Sequence, residues 1–254
     1  MKKLSFLLLL MMSTALSAKP ITATSWLVAD GEGNIIKSQN PETVQPIASI
    51  SKLVTAMIVI DAHQDMSEKI GNFTREQLIQ MALVKSDNRS ANLLCEHYPG
   101  GRGNCVDAMN AKARELYMNN THFFEPTGLS VFNTSTAHDL VNLVIGASGY
   151  KQITDAAHTP TVKVRVKRKL FIFKNTNPLI GYDQHIVVSK TGYIHAAGGC
   201  LVMMMDTEIG RRILVLLGSK NTHTRIPEAV VIIKDDTKSE TGLMNFLHKS
   251  KLTQ

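Results

Sequence analysis

The chain is sparing with the residues that usually carry metal, redox or disulfide-scaffold chemistry. It has 3 cysteines and 9 histidines in 254 residues. It contains no Cys-x-x-Cys pair and no His-Glu-x-x-His, and the histidines are scattered, so neither zinc-ligand nor dithiol spacing is present and no metal is expected. Aromatic residues make up only 6% of the chain, with Trp26 the single tryptophan, which reads as a sheet core residue. No nucleic-acid motif, internal repeat or low-complexity block interrupts it. Long apolar runs are scarce too. The longest beyond the amino terminus, residues 47–60, is broken by Ser49, Ser51, Lys52 and Thr55, so it predicts a buried core helix rather than a membrane span. Acid is the minority charge, 21 Asp plus Glu against 28 Lys plus Arg, for a formal charge of +7. That balance favours an anionic partner, and in an exported protein a carboxylate-bearing wall polymer or an anionic membrane surface fits it better than nucleic acid.

Export is what the first eighteen residues predict. Lys2 and Lys3 give a basic start, residues 7–12 an apolar stretch too short to cross a bilayer, and Ala15-Leu16-Ser17-Ala18 a small-residue exit, with cleavage after Ser17 or Ala18. Residues 19–254 then form one compact unit at +5, soluble and periplasmic, with no transmembrane segment. An oxidising compartment allows three cysteines one bridge. Cys95 and Cys105 flank the Pro99-Gly100-Gly101 turn, so a local bridge with Cys200 left as a buried thiol is one arrangement, and three free thiols the other.

Strand-like runs at 25–30 and 35–37 flank the turn cluster Gly31-Glu32-Gly33-Asn34 and predict an opening hairpin. Helical spacing follows from about residue 47, over 74–84, 90–95 and 106–117, and Thr136-Ala137-His138-Asp139 resembles a capping box opening another helix. Apolar strands return at 185–190, 200–205 and 212–218, separated by turns containing Gly192 and Gly210, with Met203-Met204-Met205 buried on both faces. A terminal helix is predicted over 226–248 with a break near Asp235-Asp236. The class is therefore α+β: one antiparallel sheet of about five strands drawn from both chain ends, flanked by helices, with a helical lobe inserted at about 62–150 and a site where the lobes meet. Residues 162–167 alternate with their charge on one face, which fits a solvated edge strand or a contact surface for anionic polymer.

Three motifs follow one another: Ser49-Ile50-Ser51-Lys52, Ser86-Asp87-Asn88 and Lys190-Thr191-Gly192. In that order they match a pattern known from penicillin-binding proteins and class A β-lactamases. Three residues apart on a helix, Ser49 and Lys52 share a face, and a serine hydroxyl needs a base to attack. Lys52 is that base only when neutral, which burial and a neighbouring cation, Lys190, would favour. Ser86 is placed to relay a proton to the leaving amine and Asn88 to bind a peptide backbone, while Asp87 supports the loop. Lys190 supplies charge, Thr191 a hydroxyl for a carboxylate or carbonyl, and Gly192 room for close approach. The N–H groups of Ser49 and Tyr193 suit an oxyanion hole. His195, just beyond, reads as a turn residue.

Around these motifs stand Ile47-Ala48-Ser49-Ile50-Ser51-Lys52-Leu53, His97-Tyr98-Pro99-Gly100-Gly101, Met109-Asn110-Ala111-Lys112-Ala113, Met118-Asn119-Asn120-Thr121, Glu125-Pro126-Thr127-Gly128-Leu129-Ser130, Asn175-Thr176-Asn177 and Lys190-Thr191-Gly192-Tyr193. Covering most of residues 45–205, the set resembles the low-molecular-mass penicillin-binding proteins, and within them the type-7 D-alanyl-D-alanine endopeptidases. The resemblance implies a serine DD-peptidase fold, no cofactor, and a periplasmic enzyme that cuts D-alanyl-diaminopimelate cross-links in peptidoglycan and is acylated by β-lactams. It casts Ser49 as nucleophile, Lys52 as general base, Ser86 and Asn88 as the second element and Lys190 with Thr191 as the third. The stretches between Lys52 and Ser86 and before Asn175 are shorter than the family pattern, Gly199 stands where a side chain is expected, and Tyr117 replaces a small residue, which reads as a packing change. A DD-carboxypeptidase removing terminal D-Ala is the nearest alternative, disfavoured by how soon the chain ends after its last predicted helix. A β-lactamase using Glu115 of Glu115-Leu116-Tyr117-Met118-Asn119 and a non-catalytic wall-binding protein are the others.

Overall fold

The computed structural model describes residues 21–182 and 185–234. The leader, the far end of the terminal helix and its break at Asp235-Asp236 lie outside these residues. In chain order the elements are β1 (Ser25–Asp30), β2 (Ile35–Gln39), β3 (Gln45–Pro46), α1 (Ser51–Asp61), β4 (Lys69–Ile70), β5 (Phe73–Thr74), α2 (Arg75–Gln80), α3 (Asn88–Glu96), α4 (Gly101–Glu115), β6 (Thr134–Ser135), α5 (Ala137–Ala147), α6 (Lys151–Ala157), β7 (Thr161–Val166), β8 (Lys169–Lys174), β9 (Ile186–Ile194), β10 (Gly198–Thr207), β11 (Gly210–Ser219) and α7 (Arg225–Lys234).

The main sheet is antiparallel, in the order β2-β1-β11-β10-β9. The opening hairpin is shaped by Asp30, whose carboxylate accepts the N–H groups of Glu32 and Asn34 and the Asn34 amide. Strand β1 then pairs with β11, Trp26 opposite Leu216 and Val28 opposite Leu214, so the two ends of the chain share one sheet. Both faces are covered. Leu27, Ala29, Val202, Met204, Val215 and Leu217 belong to the core shared with α1 and α5, while Val28, Leu201, Met203, Met205 and Leu216 pack with Ile226, Ala229 and Val230 of α7. That double burial is why these strands read as unbroken apolar runs instead of an alternation. Trp26 is only half-buried, at the margin of the α7 layer.

Helix α1 runs through the middle of the molecule, and every residue from Ser51 to Val59 is buried. An all-round apolar helix has no solvent face, so its polar members need internal partners. Ser51 donates to the Ala48 carbonyl at 3.0 Å and Thr55 to that of Pro126 at 2.8 Å. A disulfide joins Cys95 of α3 to Cys105 of α4, and Cys200 is a buried free thiol whose pKa burial pushes up to about 11.

Several expectations change. The α1 segment opens as a tight 3₁₀ turn over Ala48–Ile50, so the α-helix proper begins at Ser51. Gly192 lies inside β9, not in a turn; the turn to β10 comes after Ile194. Thr136 caps α5 by accepting the Asp139 N–H, yet the buried Asp139 carboxylate turns to the Asn120 N–H and the Thr121 hydroxyl, which leaves the capping box half made. Strand β7 does not edge the main sheet. It pairs with β8, which the sequence reading missed, in a separate hairpin.

Candidate active site

The three motifs converge although they lie up to 141 positions apart. Ser49 sits in the Ala48–Ile50 turn and remains partly accessible while its neighbours Ala48 and Ile50 are buried. Two glycines press on this turn. A Cβ at Gly192 would come within 3.0 Å of the Ser49 nitrogen, and one at Gly128, whose φ is +79°, would fall 1.9 Å from the Ala48 oxygen. Gly128 therefore needs a residue without a side chain, and one at Gly192 would have to push the turn aside by a few tenths of an ångström. Ala48 itself holds φ at +49°, a left-handed conformation that costs a non-glycine residue energy.

At the second position of α1, Lys52 is fully buried. Its Nζ donates to Ser49 Oγ at 2.8 Å, to Asn88 Oδ1 at 2.7 Å and to the Thr127 carbonyl. Burial lowers its pKa from 10.5 to about 8, against the opposing pull of Glu125 and Asp87. A neutral amine has two hydrogens and one lone pair. Asn88 Oδ1 and the Thr127 carbonyl can only accept, so they take the hydrogens, and the lone pair is left for the one neighbour able to donate, the Ser49 hydroxyl.

Ser86 follows a π-helical turn, Met81–Lys85, and is held at φ +61°. Lys190 Nζ donates to Ser86 Oγ at 2.9 Å and to the Thr191 carbonyl at 2.8 Å. Asp87 caps α3 by accepting from Ser90 N–H and hydroxyl, which sets Asn88 at the start of the helix facing Lys52. Lys190 is as deeply buried as Lys52; burial and then repulsion from Lys52 and Arg225 push its pKa down. From the sequence, burial and the Lys190 cation together are expected to keep Lys52 neutral. In the structure burial is the chief cause at Lys52, and the repulsion between the two lysines bears on Lys190.

Strand β9 is an edge strand, so one side of its backbone is unpaired within the sheet and open to an extended peptide. Tyr193 is exposed there, and His195 is exposed on the following turn. Thr191 is buried and donates to Thr176 Oγ1 at 2.7 Å.

Four contributors carried no assigned role in the sequence reading. Glu125 accepts the N–H groups of Thr127, Gly128 and Ser130, shaping the loop that presents the Thr127 carbonyl. Asn133 ties that loop to Ser51. Thr176 supports Thr191. Arg225, opening α7, donates to the Gly192 carbonyl at 2.9 Å and the Thr176 carbonyl at 3.5 Å. The first three lie in or beside segments quoted for the family resemblance; Arg225 has no local signal at all. Gly199 answers to it: a Cβ there would lie 2.6 Å from the Asn221 oxygen and 3.2 Å from Arg225 Cβ, so the missing side chain makes room for this segment instead of opening the groove. Tyr117 is exposed at φ +57°, so its substitution is a matter of backbone conformation, not packing. Glu115 ends α4 in an ion pair with Lys112, which also pairs with Asp61 at the far end of α1. Eleven residues of helix put Asp61 roughly 16 Å from the Ser49 end. Among the described residues no group of three or more His, Cys, Asp or Glu is arranged to hold a metal ion.

The D-alanyl-D-alanine carboxypeptidase family model matches residues 12–70 and 64–221. A D-alanyl-D-alanine endopeptidase from Escherichia coli is 37% identical over 241 residues, covering 85% of this chain and 78% of its own. One from Pseudomonas aeruginosa is also 37% identical, over 87% and 82%. Among solved structures, a penicillin-binding protein from Listeria monocytogenes with ampicillin bound superposes with a TM-score of 0.76 at 25% identity, covering 85% and 98%. A Streptomyces DD-transpeptidase reaches 0.78 at 20% identity and shares the fold.

Proposed function

The chain belongs to the D-alanyl-D-alanine carboxypeptidase family, and from that premise we propose that it is a serine DD-endopeptidase that hydrolyses D-alanyl-diaminopimelate cross-links in peptidoglycan. The observation that carries the chemistry is the Lys52 amine, buried, depressed to about 8 and 2.8 Å from Ser49 Oγ. Neutral Lys52 takes the Ser49 proton as Oγ attacks the D-alanyl carbonyl carbon. Backbone N–H groups of Ser49 and Tyr193 receive the developing oxyanion, and the close approach at Gly192 favours that pairing. As the tetrahedral intermediate collapses, the C–N bond breaks and the proton passes through Ser86, bonded to Lys190, to the departing amine. Water then cleaves the Ser49 ester and the proton returns. Asn88 and strand β9 hold the peptide, with Thr191, Gly192 and Tyr193 lining the strand and Lys190 supplying positive charge toward a carboxylate. No cofactor enters these steps. A β-lactam presents its strained amide to the same serine and stays as a stable ester.

Endopeptidase is favoured over carboxypeptidase action because the two 37% relatives carry that activity in their names, whereas a carboxypeptidase from Bacillus subtilis is 25% identical and the chain covers 58% of it. Residues 1–18 are the leader of an exported, periplasmic protein, and residues 19–254 act as one domain. Among the described residues no helix is long and apolar enough to cross a membrane. The test is mass-spectrometric profiling of purified sacculi after incubation with the protein, with Ser49→Ala as control. Conversion of cross-linked dimers to monomers, absent in the variant, is expected. Loss of terminal D-Ala alone would make the protein a carboxypeptidase, and no change would remove the peptidase reading.

A further inference from the structure

The β7–β8 hairpin stands apart from the main sheet and is used by none of the steps above. Its register places Val162 opposite Phe173, Val164 opposite Phe171 and Val166 opposite Lys169 on one face, and Lys163 opposite Ile172 and Arg165 opposite Leu170 on the other. The first face is anchored at its root, where Val162 and Val164 are buried in the core, Phe173 packs against it and the Lys85 ammonium lies 4.2 Å over the Phe173 ring, while Phe171 and Lys169 toward the tip are exposed. The second face is free. Leu170 and Ile172 are 52% and 57% exposed, interleaved with the exposed cations Lys163, Arg165 and Lys174, and the tip adds Lys167, Arg168 and Lys169. No acidic residue occurs between Asp155 and Asp183, and none of the six cations forms an ion pair among the described residues.

We propose that the outer face of the β7–β8 hairpin docks on an anionic phospholipid surface, with Leu170 and Ile172 entering the headgroup boundary and the six cations meeting lipid phosphates. Two kinds of side chain on one face select this occupant. A hydrated glycan-peptide strand would satisfy the cations but leave two aliphatic side chains in water, whereas a lipid interface takes both. The geometry suits a tethered enzyme. A six-residue strand reaches about 20 Å, and its root is fixed beside the site, with the Asn175 N–H on the Pro160 carbonyl and the Thr176 N–H on the Val84 carbonyl. A docked hairpin would hold the groove at a set height above the bilayer.

The test is co-sedimentation of the protein, purified after export, with vesicles of phosphatidylcholine alone or with about a third phosphatidylglycerol, with purified sacculi in parallel. Binding to the anionic vesicles only is expected, weakened by about 0.5 M salt. Replacing Lys163, Arg165 and Arg168 by Gln should raise the lipid needed for half-binding on the order of 100-fold, about fivefold per cation. The pair Leu170→Ser and Ile172→Ser should weaken binding at every salt concentration. Penicillin labelling of Ser49 reports folding and should be unchanged in both variants. Equal binding to neutral vesicles, wild-type partitioning of the triple variant, or retention on sacculi but not on anionic vesicles would each overturn the proposal. None of these readouts depends on which bond the enzyme cuts.

Discussion

A lysine that works as a base must be neutral, and burial of Lys52 makes acylation strongly dependent on pH. With a pKa of about 8, Lys52 is neutral in about one molecule in ten at pH 7, against roughly one in three thousand at 10.5. Acylation of Ser49 by a fluorescent penicillin, followed by stopped flow, should therefore rise about 50-fold between pH 6 and pH 8 and level off above. The same perturbation bears on stability. The folded pKa lies below the unfolded one, so below pH 8 both states carry the proton and the full cost of about 3 kcal/mol for a buried ammonium is present. Between 8 and 10.5 the folded protein has lost the proton while the unfolded chain keeps it, and stability rises. Urea unfolding should show that rise in the wild type, over and above the pH dependence of Lys52→Met, which has no amine to titrate. Lys190→Gln separates the two causes. Because burial, not Lys190, lowers Lys52, its inflection should remain near 8 although the rate falls. A profile flat from pH 6 to 9, or an inflection that moves toward 10 in Lys190→Gln, would refute the burial argument.

Other consequences are more local. Opening the Cys95–Cys105 bridge by the double Ser variant should cost about 3 kcal/mol for a loop of this length, read as a fall of roughly 6 to 12 °C in Tm, and should slow acylation because α3 carries Asn88. Gly128→Ala forces a Cβ into the Ala48 carbonyl from a left-handed backbone; penicillin labelling should fall at least tenfold, and an unchanged rate would show that the loop is free to move aside. Glu115→Ala removes only an exposed partner of Lys112, which keeps Asp61, so sacculus hydrolysis should stay within about twofold and stability within about 1 kcal/mol. A collapse of turnover in that variant would instead support the β-lactamase alternative.

The parts of this protein visible in its sequence are those governed by short-range rules. Continuous apolar runs marked β1, β9, β10 and β11 because strands covered on both faces carry no polar alternation, and residues 47–60 read as a core helix because a long apolar run interrupted by Ser49, Ser51, Lys52 and Thr55 suits a protein interior. Ser-x-x-Lys, Ser-Asp-Asn and Lys-Thr-Gly were legible because each is a few residues long and their order is specific. Strand β8 was not, since Leu170-Phe171-Ile172-Phe173 is too short an apolar run for its pattern to tell a strand from a helix segment. That Lys52 must be neutral was legible, but the extent of its burial and its internal partners were not. Its depressed pKa comes from burial, which is complete only when α3 and the 125–130 loop fold over α1 and which outweighs the opposing pull of Glu125 and Asp87, and Arg225 reaches Gly192 from a separate element, α7. Composition and spacing named the reacting groups; desolvation and contacts across as many as 75 residues decided which of them is a base, because the energy of a charge is set by what surrounds it and not by what precedes it.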